Sequence, residues 1–204
     1  LDLHTGRTSI LWAVILGLAS INLLFFIYSG FAMTLRRRAS RIKNKFKAKD
    51  SEIILLVGSE NGSTLRFANA VQQQFIALGK KAYLAEMNSY TQFPKAKQLL
   101  VFAATHGMGD APSNANQFIE LLSKRVQKQK TKTAIIGFGS KSYVDFCGFA
   151  YDVEAALAKQ NWSETIVPLH TINDKSTEEF IAWIQLWNTA TSLPLATTPS
   201  LYNA

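Results

Sequence analysis

Five short apolar segments alternate with amphipathic segments along residues 51–189, and this alternation restricts the possible fold more than any other feature of the chain. The apolar segments lie at residues 53–57, 82–84, 99–103, 134–136 and 165–169. Several are apolar at every position, which is typical of strands covered on both faces. The amphipathic segments repeat apolar residues every three or four positions, as helices with one buried face do. The alternation predicts an α/β domain with a doubly wound, five-stranded parallel sheet.

The end of the chain has a different composition. Residues 190–204 lack periodicity and contain Pro194 and Pro199 among serine and threonine residues. Such a segment is typical of a linker. We therefore expect the folded domain to occupy residues 51–189, and the linker to lead to a further domain.

Three glycine-containing segments directly follow the first, third and fourth predicted strands, at residues 59–64, 105–110 and 137–143. In an open parallel sheet, ligands bind beyond the carboxyl ends of the strands, where the winding direction reverses. The first segment is rich in hydroxyl groups and precedes a predicted helix, which favours a phosphate group. The other two contain His106 and Tyr143 and suit a flat ring. Together they predict a site for a nucleotide-like cofactor.

Several kinds of chemistry are disfavoured. Residues 59–64 contain no Lys or Arg, and the Gly-Lys-Ser/Thr ending of a nucleoside triphosphate loop is absent. Taken alone, this segment is also compatible with a capped helix that binds nothing. Cys147 is the single cysteine, so the chain forms no internal disulfide, and we expect a small buried residue there. The three histidines show no metal-ligand spacing.

Residues 10–35 contain no charged side chain. At ~1.5 Å per residue, a helix of this length exceeds the roughly 30 Å of a bilayer core. Eight basic residues follow without an intervening acid: Arg36, Arg37, Arg38, Arg41, Lys43, Lys45, Lys47 and Lys49. Because basic residues concentrate on the cytoplasmic side of a span, we expect an extracytoplasmic stub at 1–9, a transmembrane helix at 10–35 and a basic juxtamembrane linker at 36–50. A buried core helix is the alternative to the span.

The net charge of +8 is concentrated in this linker. From Asp50 to Ala204 the chain has 13 basic and 13 acidic residues, so the folded part is neutral overall. Nucleic-acid binding is therefore not expected, because the positive charge lies beside the span and is not interleaved with stacking aromatic residues. The linker charges are suited instead to the anionic headgroups of a lipid bilayer.

The three glycine segments resemble a known set of motifs. Residues 57–64 look like the phosphate loop of flavodoxins, and residues 104–115 look like the second flavin loop of diflavin reductases. Residues 137–143, with Phe146 and Cys147 behind them, look like the third. In this order, the motifs resemble the FMN domain of cytochrome P450 reductase and sulfite reductase flavoproteins. The resemblance implies a flavodoxin-like fold with strand order 2-1-3-4-5 and FMN at the reversal point.

Residue by residue, the resemblance implies two groups of FMN contacts. The phosphate group would be held by Ser59, Glu60, Asn61, Gly62, Ser63 and Thr64, with the Glu60 side chain pointing outward. The ring would be enclosed by Ala104, Thr105, His106, Gly107, Gly109, Asp110, Gly137, Phe138, Gly139, Ser140 and Tyr143, backed by Phe146 and Cys147. Tyr143 is the candidate for ring stacking; a half-buried tyrosine at a strand end is the alternative. His106, Ser140 and Lys141 depart from the usual pattern, and cations there would favour flavin reduction.

The function implied is electron transfer by a membrane-anchored FMN module in the inner membrane of a bacterium. No dinucleotide fingerprint occurs in these residues, so its donor would be a separate FAD/NAD(P)H reductase domain. We expect that domain in the same polypeptide. Its acceptor would be haem or ferric iron at the membrane. Residues 3–7 and the span are similar to the final helix of PepSY-type membrane proteins, in which His4 would ligate haem; an interfacial polar residue is the alternative. A membrane-tethered interaction or sensing domain without FMN is the other function left open.

Overall fold

The structure is a computed structural model that describes residues 9–39 and 42–202. The chain divides into two compact units, Leu1–Ile42 and Lys43–Ala204. His4 and most of the predicted stub lie outside the described residues.

The first unit contains one long helix, α1, at Ile10–Ala39. Within it, Ile10–Ala32 is long and apolar enough to cross a membrane, with a mean hydropathy of 2.5. Its large apolar side chains are exposed, whereas a core helix of a soluble domain would bury them. The hydroxyl groups of Ser20 and Ser29 donate to helix carbonyl oxygens of Leu16 and Phe26, so these polar groups need no water.

The second unit has the predicted alternation of strands and helices. The elements in chain order are β1 (Ile53–Gly58), α2 (Leu65–Ala77), β2 (Ala82–Glu86), β3 (Gln98–Ala104), α3 (Phe118–Lys124), β4 (Thr131–Gly139), α4 (Gly148–Ala158), β5 (Ser163–Asn173) and α5 (Thr177–Ala190). The strands form a parallel sheet in the order β2-β1-β3-β4-β5. The predicted flavodoxin-like, doubly wound five-stranded fold is confirmed.

Both faces of the sheet are covered. On one face, α3 and α4 pack against the strands through Phe118, Phe149 and neighbouring apolar residues. On the other, α2 and α5 contribute an aromatic cluster in which the ring centroids of Phe67 and Phe180 lie 4.6 Å apart. Phe138 of β4 joins that cluster, 5.2 Å from Phe67. Burial on both faces explains why the strands are apolar at nearly every position.

The segment after α5 packs against the domain, although its composition predicts a linker. The Tyr202 side chain is buried, and its ring lies 5.0 Å from Phe180. Its hydroxyl donates to the carbonyl oxygen of Ala196 and accepts a hydrogen bond from the side chain of Gln74. These contacts join residues far apart in sequence, so local periodicity does not reveal them.

The end of the predicted juxtamembrane linker is also part of the domain. The Asn44 side chain accepts from the amide of Leu84 and donates to its carbonyl oxygen, at 2.8 Å in each case. Gln72 of α2 donates to the same Asn44 oxygen at 2.7 Å. Asn44 therefore pairs with the outer edge of β2 in the way a neighbouring strand would, and this covers part of an exposed sheet edge.

The packing of the last segment predicts a graded series of stability changes. Tyr202→Ala should lower the free energy of unfolding by about 3–5 kcal/mol because it removes a buried aromatic side chain. Tyr202→Phe should cost about 1 kcal/mol, since it removes only the hydroxyl group. Leu201→Ala is the control; this half-exposed side chain should contribute less than about 0.5 kcal/mol. Urea denaturation in detergent, followed by tryptophan fluorescence, measures the series. Equal stability of all three variants would contradict the packing.

Candidate functional site

The loops at the carboxyl ends of β1, β3, β4 and β5 surround a cavity of about 410 Å³. Of the 19 residues predicted to form the site, 14 line this cavity: Ser59, Glu60, Asn61, Ser63, Thr64, Ala104, Thr105, His106, Gly107, Phe138, Gly139, Ser140, Tyr143 and Cys147. The predicted convergence of the three glycine segments is therefore present. It follows from the parallel sheet, because strands that point the same way end at the same edge.

The loop after β1 presents backbone amides to the cavity end of the domain. Within the described part of the chain, the amides of Asn61, Gly62 and Ser63 donate to no acceptor. Gly62 has a φ of +71°, a conformation that favours glycine, and the chain turns there into α2. Unpaired amides at the start of a 13-residue helix form an anion site without a basic side chain.

Two hydroxyl groups support the presence of a polar ligand. The Oγ1 atoms of Thr64 and Thr105 are buried and have no hydrogen-bond partner among the residues that the structure describes. Both residues line the cavity. A buried polar group without a partner costs about 1–3 kcal/mol, so a ligand that pairs with these oxygens would recover that free energy. The residues present fit a ligand that carries a phosphate group.

The loop after β3 is a tight turn. His106 and Asp110 exchange two backbone hydrogen bonds, each of 2.8 Å. Gly107 and Gly109 inside the turn have φ angles of +57° and +114°. A side chain at Gly109 would also lie 2.9 Å from Cβ of Asp145, so the turn packs closely on the next loop. The two glycines therefore allow the tight turn and its close contact with the next loop.

The loop after β4 approaches the start of α4 just as closely. A Cβ atom at Gly139 would lie 2.8 Å from the backbone nitrogen of Cys147. Cys147 itself adopts a left-handed conformation, with a φ of +57°, and is buried. Burial raises the pKa of its thiol to about 11, so the thiol is protonated at neutral pH. Cys147 is thus a packing residue of the cavity wall, as the sequence predicts.

Two side chains connect the loop after β1 to the segment that follows the turn. The amide of Ser59 donates to the Asn114 side chain at 2.8 Å, and the amide of Ser113 donates to the Glu60 carboxylate at 2.8 Å. The bond from Ser113 holds the pKa of Glu60 below its ordinary value. Glu60 is exposed, as expected, but its carboxylate also joins the loop after β1 to the segment that contains Ser113. Asn114 lies within the 104–115 motif but is not among the predicted site residues.

The loop after β5 contributes to the cavity although no motif predicts it. Asp174 and Lys175 line the cavity, with φ angles of +46° and +63°. The amide of Asp174 donates to the carbonyl oxygen of Gly139 at 2.8 Å. This loop has no glycine, so its left-handed turn gives little signal beyond Asn173 and Asp174, residues that tolerate such a conformation.

The charges near the cavity differ from those expected. Its lining includes the carboxylates of Glu60, Asp145 and Asp174, with one ammonium group from Lys175. Lys141, expected to make the site less negative, does not line the cavity. Its ammonium nitrogen lies 3.8 Å from a carboxylate oxygen of Glu179, which offsets its charge. Carboxylates therefore outnumber ammonium groups around the cavity.

Five predicted residues do not line the cavity: Gly62, Gly109, Asp110, Gly137 and Phe146. An added Cβ at Gly137 would be 2.8 Å from Cβ of Ala150 in α4. Its role is therefore to let α4 approach the sheet. The ring of Phe146 packs against Gly139, and the ammonium nitrogen of Lys141 lies 5.6 Å from the centroid of that ring.

Metal binding receives no support. Among the described residues, no group of three or more His, Cys, Asp or Glu side chains is arranged to hold a metal ion.

The family described as Flavodoxin matches residues 55–187. The chain is 31% identical over 133 residues to the sulfite reductase (NADPH) flavoprotein alpha-component of Cronobacter sakazakii, a match that covers 63% of this chain and 22% of that protein. It is 30% identical over 161 residues to the NADPH–cytochrome P450 reductase of Rattus norvegicus, covering 74% of this chain and 24% of that protein. The chain thus spans about a quarter or less of the curated relatives it matches.

Solved structures show the same fold. A mutant flavodoxin from Pseudomonas aeruginosa superposes with a TM-score of 0.57 and 22% identity, covering 69% of this chain and 97% of that one. The oxidised flavodoxin 1 from Bacillus cereus superposes with a TM-score of 0.57 and 13% identity, covering 70% of this chain and all of that one. The domain therefore corresponds to nearly the whole of a flavodoxin.

The unpaired hydroxyl of Thr64 gives a test in which affinity and stability change in opposite directions. Thr64→Val should raise the unfolding free energy of the ligand-free protein slightly, since it removes a buried polar group that lacks a partner. The same change should weaken FMN binding about tenfold, through loss of a bond to a charged group. Denaturation and flavin titration measure the two effects. In the control Thr189→Val, on the exposed side of α5, neither should change by more than about 0.5 kcal/mol. Unchanged FMN affinity in Thr64→Val would contradict this role.

Proposed function

The chain belongs to the flavodoxin family, and on that premise we propose that it is the membrane-anchored FMN module of a longer electron-transfer protein. Its domain is a flavodoxin-like electron-transfer module of the diflavin reductase type, and FMN is its cofactor. The assignment of the site depends on one cluster of polar groups. The amides of residues 61–63 donate to no acceptor in the described chain, and the nearby hydroxyls of Thr64 and Thr105 have no hydrogen-bond partner there either. These donors lie where the strand order reverses.

The loop after β1 holds the phosphate group. The amides of Asn61, Gly62 and Ser63 supply donors, and the hydroxyl of Thr64 supplies a further one. The positive end of the α2 dipole favours a dianion at this position. Hydrogen bonds to the side chains of Asn114 and Glu60 hold this loop against the segment after β3.

The turn at 105–110 and the loop at 139–147 enclose the ring of FMN. Bound FMN supplies the chemistry, since it accepts and releases one or two electrons. Tyr143, which is 54% exposed, supplies an aromatic face, and His106 also lines the cavity. The carboxylates of Glu60, Asp145 and Asp174 disfavour extra negative charge on the ring, so they lower its tendency to accept electrons.

The donor and the acceptor lie outside the flavodoxin-like domain. Two similar proteins are named as NADPH-dependent flavoproteins or reductases, and each is about four times longer than its match to this chain. We therefore assign the supply of electrons to an FAD/NAD(P)H reductase domain, expected in the same polypeptide. The acceptor is a redox centre at the membrane, such as haem or ferric iron, because the apolar helix α1 precedes the domain.

FMN content separates this function from that of a flavin-free interaction domain. The purified chain should be yellow, with about one FMN per chain. The double change Gly62→Val and Gly109→Val should abolish flavin binding, since both glycines have positive φ and lie in the loops that hold FMN. Absorption spectra and flavin release measure the content.

A matched control excludes a general effect of backbone strain. Gly79 follows α2, away from the cavity, and has a φ of +76° with no atom near an added Cβ. Gly79→Val should cost stability but leave the flavin content unchanged. A colourless wild-type chain that gains no flavin on titration would contradict the electron-transfer function.

Membrane anchoring has a separate test. In a bacterial host, a green fluorescent protein fused after residue 204 should fluoresce in the cytoplasm, and the fusion should stay in the membrane pellet after alkaline carbonate extraction. Basic residues after the span direct this orientation. Replacing all eight basic residues of the linker with glutamine should reduce the fluorescent fraction. A fusion found in the carbonate supernatant would show that α1 does not span a bilayer.

A further inference from the structure

The 13 basic and 13 acidic residues between positions 50 and 204 are unevenly distributed between the two ends of the sheet. Ten of the basic residues lie in four segments just before β2, β3, β4 and β5, namely 78–81, 94–97, 124–132 and 159–162. These four segments contain no acidic residue, and we call them the basic pole. Three acidic residues, Asp50, Glu52 and Glu164, lie at the same end, so positive charge is in excess there although the domain is neutral overall.

The cavity end has the opposite charge. The segments 59–66, 105–117, 140–147 and 174–179 follow the strands and carry six acidic and three basic residues. The two ends lie at least about 20 Å apart, because β1 alone has six residues at ~3.3 Å each. This exceeds the Debye length of roughly 8 Å at physiological salt, so a charged surface near one end acts on that end alone.

Backbone hydrogen bonds order three lysines of the basic pole along the end of the sheet, with Glu52 between two of them. The amide of Glu52 donates to Lys81, the amide of Lys97 donates to Glu52, and the amide of Lys132 donates to Lys97. These backbone bonds of 2.8–3.0 Å give the order Lys81, Glu52, Lys97 and Lys132 along this end of the sheet. All three side chains are exposed, and Glu52 offsets one charge by pairing with Lys97 at 3.4 Å.

A second row of lysines joins this surface. Lys43, Lys45, Lys47 and Lys49 are exposed, whereas the residues between them are partly buried. Asn44 fastens this row to β2, and Asp50 connects its end to the pole through a 3.1 Å ion pair with Lys95. The row belongs to the folded domain, so its charges keep a defined position relative to the pole.

We propose that the basic pole and the lysine row at 43–49 dock on the anionic headgroups of the membrane, an inference that rests on the proposed anchoring of the chain. Clusters of basic residues beside a span bind anionic lipid. The row begins four residues after the end of α1, the helix apolar enough to span a bilayer. The pole has no exposed aromatic residue for stacking a nucleic acid; its one aromatic residue, Trp162, is buried. In the docked orientation the cavity faces the aqueous phase, where a reductase domain reaches it; delivery of electrons to an acceptor at the membrane then requires release of the domain from the headgroups.

The test places fluorophores at the two ends of the full chain in lipid nanodiscs. Asn161→Cys labels the basic pole and Gln117→Cys labels the cavity end; both positions are exposed, and the native Cys147 is buried. The nanodiscs contain an acceptor-labelled lipid in phosphatidylcholine, with or without phosphatidylglycerol. Energy transfer from position 161 should exceed that from position 117 when phosphatidylglycerol is present. The difference should shrink in pure phosphatidylcholine and at about 1 M salt, where the Debye length is roughly 3 Å.

Charge variants test the cause. Changing Lys81, Lys97 and Lys132 together to glutamine should remove the difference, since each lysine is worth roughly fivefold in the ratio of docked to undocked domain and the three on the order of a hundredfold. Changing the same three lysines to arginine keeps the charge and should preserve the difference. Equal behaviour of the two triple variants would overturn the proposal.

Other outcomes separate the hypotheses. A chain that does not enter nanodiscs would contradict the anchoring itself. A chain that enters them but shows equal transfer from both positions, with and without phosphatidylglycerol, would contradict only the docking. Fluorescence anisotropy with a labelled DNA duplex tests whether the pole binds nucleic acid instead. Tight binding that the triple glutamine variant loses, without any response to phosphatidylglycerol, would assign the pole to nucleic acid and overturn the proposal.

Discussion

Parallel pairing of β1 with both β2 and β3 is the interaction on which the site depends. Ile53 lies opposite Ala82 on one side and opposite Gln98 on the other, so β1 is where the order of strands reverses. The helices after β1 and β3 therefore cover opposite faces, and a crevice remains between the loops that lead to them. The site that we assign to FMN lies in that crevice. Without this reversal, the free amides at 61–63 and the turn at 105–110 would not face a common cavity.

The same parallel arrangement produces the charge separation. Every strand begins at one end of the sheet and finishes at the other, so residues that precede strands share one surface and residues that follow them share the opposite one. Lys81, Lys97 and Lys132, at the starts of β2, β3 and β4, thus lie at one end of the sheet although they are far apart in sequence. One topological rule therefore positions both the cofactor site and the surface that we assign to lipid.

Prediction from sequence is most successful where the signal is local. Gly62, Gly107 and Gly109 all have positive φ, and their spacing in motifs after apolar runs predicts the loops correctly. Other features have no local signal. Asp174 and Lys175 adopt left-handed conformations without glycine, and the interloop bond from Ser59 to Asn114 joins residues 55 positions apart. The distribution of charge is also missed from the sequence, because the net charge of residues 50–204 does not record which end of the sheet each charged side chain occupies.

The sequence by itself determined the α/β class, the order of the elements, the glycine loops after the strands and a helix long enough to span a bilayer, because periodicity, glycine placement and uncharged length act over a few residues. Only the tertiary structure decided which buried hydroxyls lack a partner, how Asn44 covers the edge of β2, and that Tyr202 packs against Phe180. Each of these depends on register and packing between distant segments, and so does the presence of Glu60, Asp145 and Asp174 in the lining of one cavity. They arise when the sheet assembles, since free energies of burial and hydrogen bonding are set by neighbours in space and not by neighbours in sequence.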